Sequence, residues 1–141
     1  MKILACGVSV DQRDILGNTP LHYLCEFGNA VSVRHLLSNG VDPNVKNRKG
    51  ETCLHRAAEA GNEEVVALLS QKVEVDLNIK DNQGDTALLT SLRHGHAGTG
   101  MTLVEKGANT QITGWNGWTA LHCASAGDLP EVLQVHHRLG L

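Results

Sequence analysis

The chain has few aromatic residues and no excess of positive charge. Aromatic residues make up 3% of its 141 residues. This is well below what a compact globular core draws on, so the core must rely on aliphatic side chains. Twelve basic residues stand against 15 acidic ones, for a formal net charge of -3. No global positive field would attract a nucleic acid, and we expect none as a partner.

Long apolar runs and paired cysteines are also missing. No stretch approaches the ~18 apolar residues of a membrane span, so we predict no membrane insertion. Cys6, Cys25, Cys53 and Cys123 form neither a Cys-x-x-Cys pair nor a metal-ligand spacing. The simplest interpretation is that they are reduced, and that those in helices are small buried hydrophobes. This predicts an intracellular protein in the cytoplasm, with the nucleus left open.

One short motif occurs four times along the chain. Each copy begins with a glycine and has a threonine two residues later, and the glycines are 33, 34 and 33 residues apart. The four copies are Gly17 to His22, Gly50 to His55, Gly84 to Leu89 and Gly117 to His122. A fixed period of this length is typical of a solenoid, in which each unit buries its apolar face only against its neighbours.

With a Thr-Pro-Leu-His core and this period, the chain resembles the ankyrin-repeat family. The resemblance implies an all-α fold, a solenoid of paired helices with hairpin-like fingers. It divides the chain into a partial repeat at 1–14, repeats at 15–47, 48–81 and 82–114, and a truncated repeat at 115–141. Because both end units are incomplete, we expect a segment of a longer array or a truncated gene model, and leave completeness open.

Capping residues predict two short helices in each repeat. The motif threonines are predicted N-caps, and Gly28, Gly61, Gly95 and Gly127 are predicted C-caps. A second, more aliphatic helix is predicted at 31–37, 65–69, 101–104 and 132–139. Repeat three departs from the pattern with Leu89 in place of histidine, and with Gly98 and Gly100 inside its second helix. Each glycine there costs about 0.5–1 kcal/mol, so we expect this repeat to be the softest.

The eight histidines of the chain do not predict a metal or catalytic site. His22, His55 and His122 share one repeat position, where the family's histidine bonds within the turn of the inner helix, and positions a full repeat apart cannot share one ion. No phosphate loop, nucleophile elbow or His-Glu-x-x-His motif occurs. We therefore predict a protein that is not an enzyme, with no catalytic residue, metal or cofactor.

The resemblance places the few large side chains on a concave binding groove formed by the inner helices and fingers. Tryptophan, tyrosine and arginine often dominate interface energetics, which makes such side chains candidate contacts. The predicted contacts are Ile15, Leu16, Tyr23, Phe27, Arg48, Lys49, Arg56, Trp115 and Trp118. The competing interpretation is that Trp118 packs on its own finger and Tyr23 fills the core between repeats.

We predict a protein-interaction module or adaptor that binds a protein partner through this concave face, as a monomer unless it is part of a longer chain. The alternative is a regulatory or targeting segment of a larger ankyrin-containing enzyme, channel or ubiquitin-ligase adaptor. Leu36, Asp42 and Asn44 also match the pattern by which hairpin asparagines are hydroxylated in this family. A plain role for Asn44 in its turn is the competing interpretation, and the identity of the partner is left open.

Overall fold

The structure, a computed structural model, describes residues 12–126 of the chain. Within that range there are seven α-helices and no strand. The helices are α1 (Pro20–Phe27), α2 (Ala30–Ser38), α3 (Cys53–Ala60), α4 (Glu63–Ser70), α5 (Ala87–Arg93), α6 (Ala97–Glu105) and α7 (Ala120–Ala126), with one 3-10 turn at Trp115–Gly117. The predicted all-α repeat fold is confirmed. The predictions for Cys6, Gly127 and the helix at 132–139 lie outside the described residues.

The helices form two layers that follow the chain. In the inner layer α1 packs on α3, α3 on α5 and α5 on α7, and in the outer layer α2 packs on α4 and α4 on α6. Between the layers lies a core of leucine, valine, alanine and cysteine side chains, in which Leu54, Leu69, Leu92 and Leu103 are fully buried. Burial of one such side chain contributes about 1.5–3 kcal/mol, so a stack of small units can be stable with few aromatic residues.

Threonines begin the inner helices, as the motif predicts. The side chains of Thr19, Thr52 and Thr86 each accept a hydrogen bond from the backbone N–H three residues later. At the other end of α1 and α3, Gly28 and Gly61 adopt the left-handed conformation, with φ of 79° and 75°. These caps satisfy backbone groups that helix ends leave unpaired.

The histidine of the motif joins one repeat to the next. Thr19 N–H donates to Nδ1 of the buried His22 (3.1 Å), which confirms the predicted bond within the turn. His22 Nε2–H then donates to the backbone carbonyl of Glu51 in the following repeat (2.8 Å). His55 does the same with the carbonyl of Asp85 (2.9 Å). His22 and His55 are therefore structural ties between neighbouring repeats.

Two glycines inside α6 have different surroundings. A Cβ added at Gly100 would lie 2.5 Å from Cδ2 of Leu92, which is fully buried. A Cβ at Gly98 would meet only the carboxylate end of Glu63, an exposed side chain that can move. Gly100 therefore allows α6 to approach α5 closely, whereas Gly98 has no such role.

We expect opposite effects from alanine at these two positions. Gly98→Ala should raise the free energy of unfolding by about 0.5–1 kcal/mol, because alanine favours the helix. Gly100→Ala should lower it by about 1–3 kcal/mol, because the new methyl group overpacks the contact with Leu92. Urea denaturation followed by circular dichroism measures both. Equal stabilisation by both changes would show that α6 does not depend on this close approach.

Candidate functional site: the finger face

Four hairpin loops each precede an inner helix, at residues 14–18, 47–51, 81–85 and 114–118, and we call them fingers one to four. Each is closed by two backbone hydrogen bonds, for example Asn47 N–H to the carbonyl of Glu51 (2.9 Å) and Gly50 N–H to the carbonyl of Asn47 (3.0 Å). An aspartate or asparagine side chain braces each of the first three fingers from within. We call the fingers together with the exposed side of α1, α3 and α5 the finger face.

Neighbouring fingers are bonded to each other near their tips. Arg48 N–H donates to the carbonyl of Leu16 (2.9 Å), and Asn82 N–H donates to the carbonyl of Lys49 (2.9 Å). The tips of fingers one to three therefore form a row in which fingers two and three are each fixed by the finger before. The backbone of such a row needs little ordering when the fingers bind a partner.

Finger one and α1 present an apolar surface at one end of the row. Ile15 is 81% exposed and Phe27 is 75% exposed, and Leu16 is exposed as well. The half-buried Tyr23 stacks on Phe27, with ring centroids 6.2 Å apart, and its hydroxyl donates to the carboxylate of Asp14. This hydrogen bond lowers the pKa of Asp14 and raises the pKa of Tyr23. The structure brings the predicted contacts Tyr23 and Phe27 together, and the bond to Asp14 connects them to finger one.

Arg56 is the centre of an ion-pair cluster on α1 and α3. Its guanidinium contacts the carboxylates of Glu26, Glu51 (3.6 Å) and Glu59 (3.2 Å). The Arg56 side chain is 19% exposed. Arg56 stays a predicted contact, but its charge is already paired with three carboxylates of the protein.

The exposed Trp115 at the tip of finger four is supported by two residues of repeat three. Its backbone N–H donates to Oδ1 of the buried Asp85 (2.9 Å). The guanidinium of Arg93 lies over the indole at 5.5 Å from the ring centroid, within cation–π distance. Arg93 is itself held by both carboxylate oxygens of Asp85, Nη2 to Oδ1 at 2.9 Å. The hydrogen bond and charge of Asp85 outweigh burial and raise the pKa of Arg93.

Trp118 differs from Trp115 in its surroundings. It is half-buried, packs against the core and stacks on His122 with ring centroids 6.3 Å apart. Trp115 by contrast is 55% exposed. Both remain predicted contacts, and Trp115 is the one that can be changed with less disturbance of the stack.

Arg48 and Lys49 lie at the exposed tip of finger two, beside a cleft of about 420 Å³. The cleft is lined by residues of fingers two and three and of α3 and α5, among them Glu51, Glu59 and Asp81. Among residues 12–126, no ion pair joins Arg48 or Lys49 to a carboxylate. These two cations therefore face solvent, next to acidic groups that are mostly engaged.

In the part of the chain that the structure describes, no group of side chains is arranged for metal binding or for thiol chemistry. No group of three or more histidine, cysteine, aspartate or glutamate side chains there could hold a metal ion. Cys25, Cys53 and Cys123 are buried free thiols. The hydrogen bond with Cys53 and burial raise the pKa of Cys25 well above its ordinary value, and burial raises that of Cys123. Such thiols stay protonated near neutral pH and are poor nucleophiles.

Asn44 has a clear role in its turn. The side-chain amide donates to the carbonyl of Glu74 (2.7 Å) and accepts from the N–H of Asp76 (3.0 Å). Its own N–H donates to the carboxylate of Asp42 (2.9 Å). This supports the structural interpretation, and hydroxylation of Asn44 stays a prediction.

Several residues of the finger face were not predicted from the sequence. Asp85 and Arg93 support Trp115, and Glu26 and Glu59 engage Arg56. One signal was present in the repeat alignment. Arg93 stands where the preceding repeats have Glu26 and Glu59, so the sign of the charge reverses at this position in repeat three.

Comparison with known proteins identifies the repeat. A sequence model of the family described as Ankyrin repeats (3 copies) matches residues 1–81 and 72–135. The chain is 30% identical over 129 residues to the human transient receptor potential cation channel subfamily A member 1, which covers 92% of this chain and 12% of the channel. It is 39% identical over 117 residues to an ankyrin repeat and KH domain-containing protein of Caenorhabditis briggsae, covering 79% of this chain and 4% of that protein.

A third relative is a palmitoyltransferase of Lachancea kluyveri. It is 30% identical over 122 residues, which covers 84% of this chain and 17% of the enzyme. The chain therefore spans less than a fifth of the length of each of these three relatives. None of the helices within residues 12–126 has the length and apolar character needed to cross a membrane.

Proposed function

The chain belongs to the ankyrin-repeat family, and we propose that it binds a protein partner through the finger face without catalysing a reaction. Ankyrin repeats are protein-interaction units, and this coarse function follows from the family. The use of the finger face as the binding surface is our proposal. We also propose that the chain acts as a monomeric adaptor in the cytoplasm. The identity of its partner is left open.

The observation that carries the proposal is the exposed, supported Trp115. Most exposed side chains of this size would be mobile, but Asp85 fixes the backbone of Trp115 and Arg93 stacks on its ring. Exposed aromatic side chains that are held in place bind with a small loss of conformational entropy and are frequent centres of interfaces. The apolar surface of Ile15 and Phe27 supports a contact at the other end.

The similarity to parts of larger proteins supports the alternative. The channel and the palmitoyltransferase are many times longer than the matched segment. As a second candidate, the chain acts as a regulatory or targeting segment beside another domain of a larger protein. A longer transcript that encodes such a domain would support this candidate, and partner binding by the isolated chain would support the adaptor.

Removal of the Trp115 side chain tests the proposed surface. We expect Trp115→Ala to weaken capture of a defined partner from a lysate by at least ~30-fold, because hot-spot aromatics contribute about 2 kcal/mol or more. The matched control is Val31→Ala/Val73→Ala, which removes two exposed apolar side chains outside the finger face. Circular dichroism first establishes that each variant is folded. Unchanged capture by both Trp115→Ala and Phe27→Ala would place the binding site elsewhere.

A further inference from the structure

We propose that the finger face binds an extended peptide segment that carries one acidic side chain between two apolar side chains. Arg48 and Lys49 hold the acidic side chain, Ile15 and Leu16 contact one apolar side chain, and Trp115 contacts the other. The inference rests on the proposed function and specifies the chemistry of the partner. It follows from the charges, the exposed apolar groups and the spacing of the fingers.

The cations on the finger face differ in whether a carboxylate of the protein already pairs with them. This difference indicates an acidic side chain in the partner. Arg56 is engaged by three carboxylates and Arg93 by Asp85. In the described part of the chain, Arg48 and Lys49 have no such partner and lie at the exposed tip of finger two. A complementary carboxylate would meet two adjacent positive groups there, which favours association with that register.

The same cleft limits how much negative charge the partner can carry. Glu51, Glu59 and Asp81 line it together with Arg48 and Lys49. A run of acidic residues or a phosphate backbone would place further negative charges against these carboxylates, and like charges brought together disfavour binding. The surface therefore fits one acidic side chain in a segment of otherwise low charge, rather than a polyanion.

The fingers set the spacing of the partner's side chains. Stacked helices lie about 8–10 Å apart, so successive fingers are separated by about that distance. An extended chain advances about 3.3 Å per residue. The acidic residue should therefore lie about three residues from the apolar residue at finger one, and about five or six residues from the apolar residue at finger four.

Synthetic peptides test this pattern directly. The probe is a fluorescein-labelled peptide of about ten residues, with leucine at the first position, glutamate at the fourth and leucine near the end, separated by alanine and serine. The same pattern in reverse order covers the other chain direction. Matched peptides carry glutamine or lysine in place of glutamate. Fluorescence anisotropy gives the Kd at low and at physiological ionic strength.

Two protein variants complete the design. Arg48→Glu/Lys49→Glu reverses the charge of finger two, and Lys72→Glu/Lys106→Glu makes the same change in net charge outside the cleft lining. We expect the glutamate peptide to bind the unmodified protein at least ~10-fold more tightly than the glutamine peptide. The finger-two variant should lose this preference and favour the lysine peptide, whereas the control variant should keep it.

The outcomes separate this inference from the proposed function. Equal affinity for the glutamate and glutamine peptides would overturn the inference, and so would tighter binding of a single-stranded oligonucleotide. If a defined protein partner still depends on Trp115 in that case, the proposed function stands alone. If the finger-face variants change neither peptide nor partner binding, both the inference and the proposed function fail.

Discussion

Asp85→Ala is expected to lower the free energy of unfolding by about 2–4 kcal/mol, the largest loss we predict for a residue of the finger face. The carboxylate is buried and holds the guanidinium of Arg93 and the N–H of Trp115. Breaking a buried ion pair by removing one partner costs about 3–5 kcal/mol, and the partial exposure of Arg93 reduces this figure. The N–H of Trp115 also loses its acceptor.

A double-mutant cycle measures the coupling between Asp85 and Arg93. Urea denaturation of Asp85→Ala, Arg93→Ala and the double variant should give a double variant that is hardly less stable than Asp85→Ala alone. Fluorescence in a Trp118→Phe background reports on the environment of the Trp115 indole, and its emission should shift to longer wavelength in Asp85→Ala. If the losses in unfolding free energy of the two single variants add up to the loss of the double variant, the two side chains act independently.

His22→Leu is expected to lower the free energy of unfolding by about 1–3 kcal/mol at neutral pH. The change removes the hydrogen bond to the carbonyl of Glu51 and leaves the buried N–H of Thr19 without an acceptor. Leucine is a natural choice for this position, because Leu89 occupies it in repeat three. The variant therefore tests the loss of the histidine's hydrogen bonds with a side chain that the fold accepts.

The same histidine makes stability depend on pH. Burial lowers the pKa of His22 below its ordinary value of 6.5, and Nδ1 accepts a hydrogen bond that protonation would abolish. Below pH 6.5 the unfolded chain therefore binds the proton more readily than the folded chain, and stability falls as the pH falls further. The stabilising contribution of neutral His22 is complete above its unfolded-state pKa.

Denaturation of the unmodified protein and of His22→Leu at about pH 7.5 and about pH 5.5 checks this prediction. The difference in stability between the unmodified protein and His22→Leu should shrink at the lower pH, because the unmodified protein loses the contribution of neutral His22. His35→Leu is the control, since this exposed histidine lies on α2 outside the repeat contacts. An equal difference at both pH values would contradict a neutral, buried His22.

Much of the local structure could be predicted from the sequence. The caps at Thr19, Thr52 and Thr86, the inner helices and the hydrogen bond of His22 with Thr19 follow from the repeated motif and are confirmed. Such features depend on residues a few positions apart, so a repeated pattern contains the information. Thr86 still caps α5 although Leu89 replaces the histidine, because the threonine side chain accepts a hydrogen bond from the N–H of Leu89.

The arrangement of charges on the finger face could not be predicted in the same way. Arg56 was predicted as a contact, but its three carboxylates, which come from α1, finger two and α3, were not. A repeat alignment places residues in columns and does not show which side chains in neighbouring columns meet. The support of Trp115 also depends on Gly114, since a Cβ there would overlap the carboxylate of Asp85.

The bonds between fingers also determine how the stack would respond to mechanical force. Fingers one to three are joined by backbone hydrogen bonds, and His22 and His55 add a bond between each of these repeats. At the junction with finger four, Leu89 of α5 occupies the histidine position, and the N–H of Trp115 is bonded by the side chain of Asp85. Under tension along the stack, the junction between α5 and α7 would therefore yield before the junctions that precede it. If the chain lies beside a larger domain, a pulling force would first change the structure at this junction.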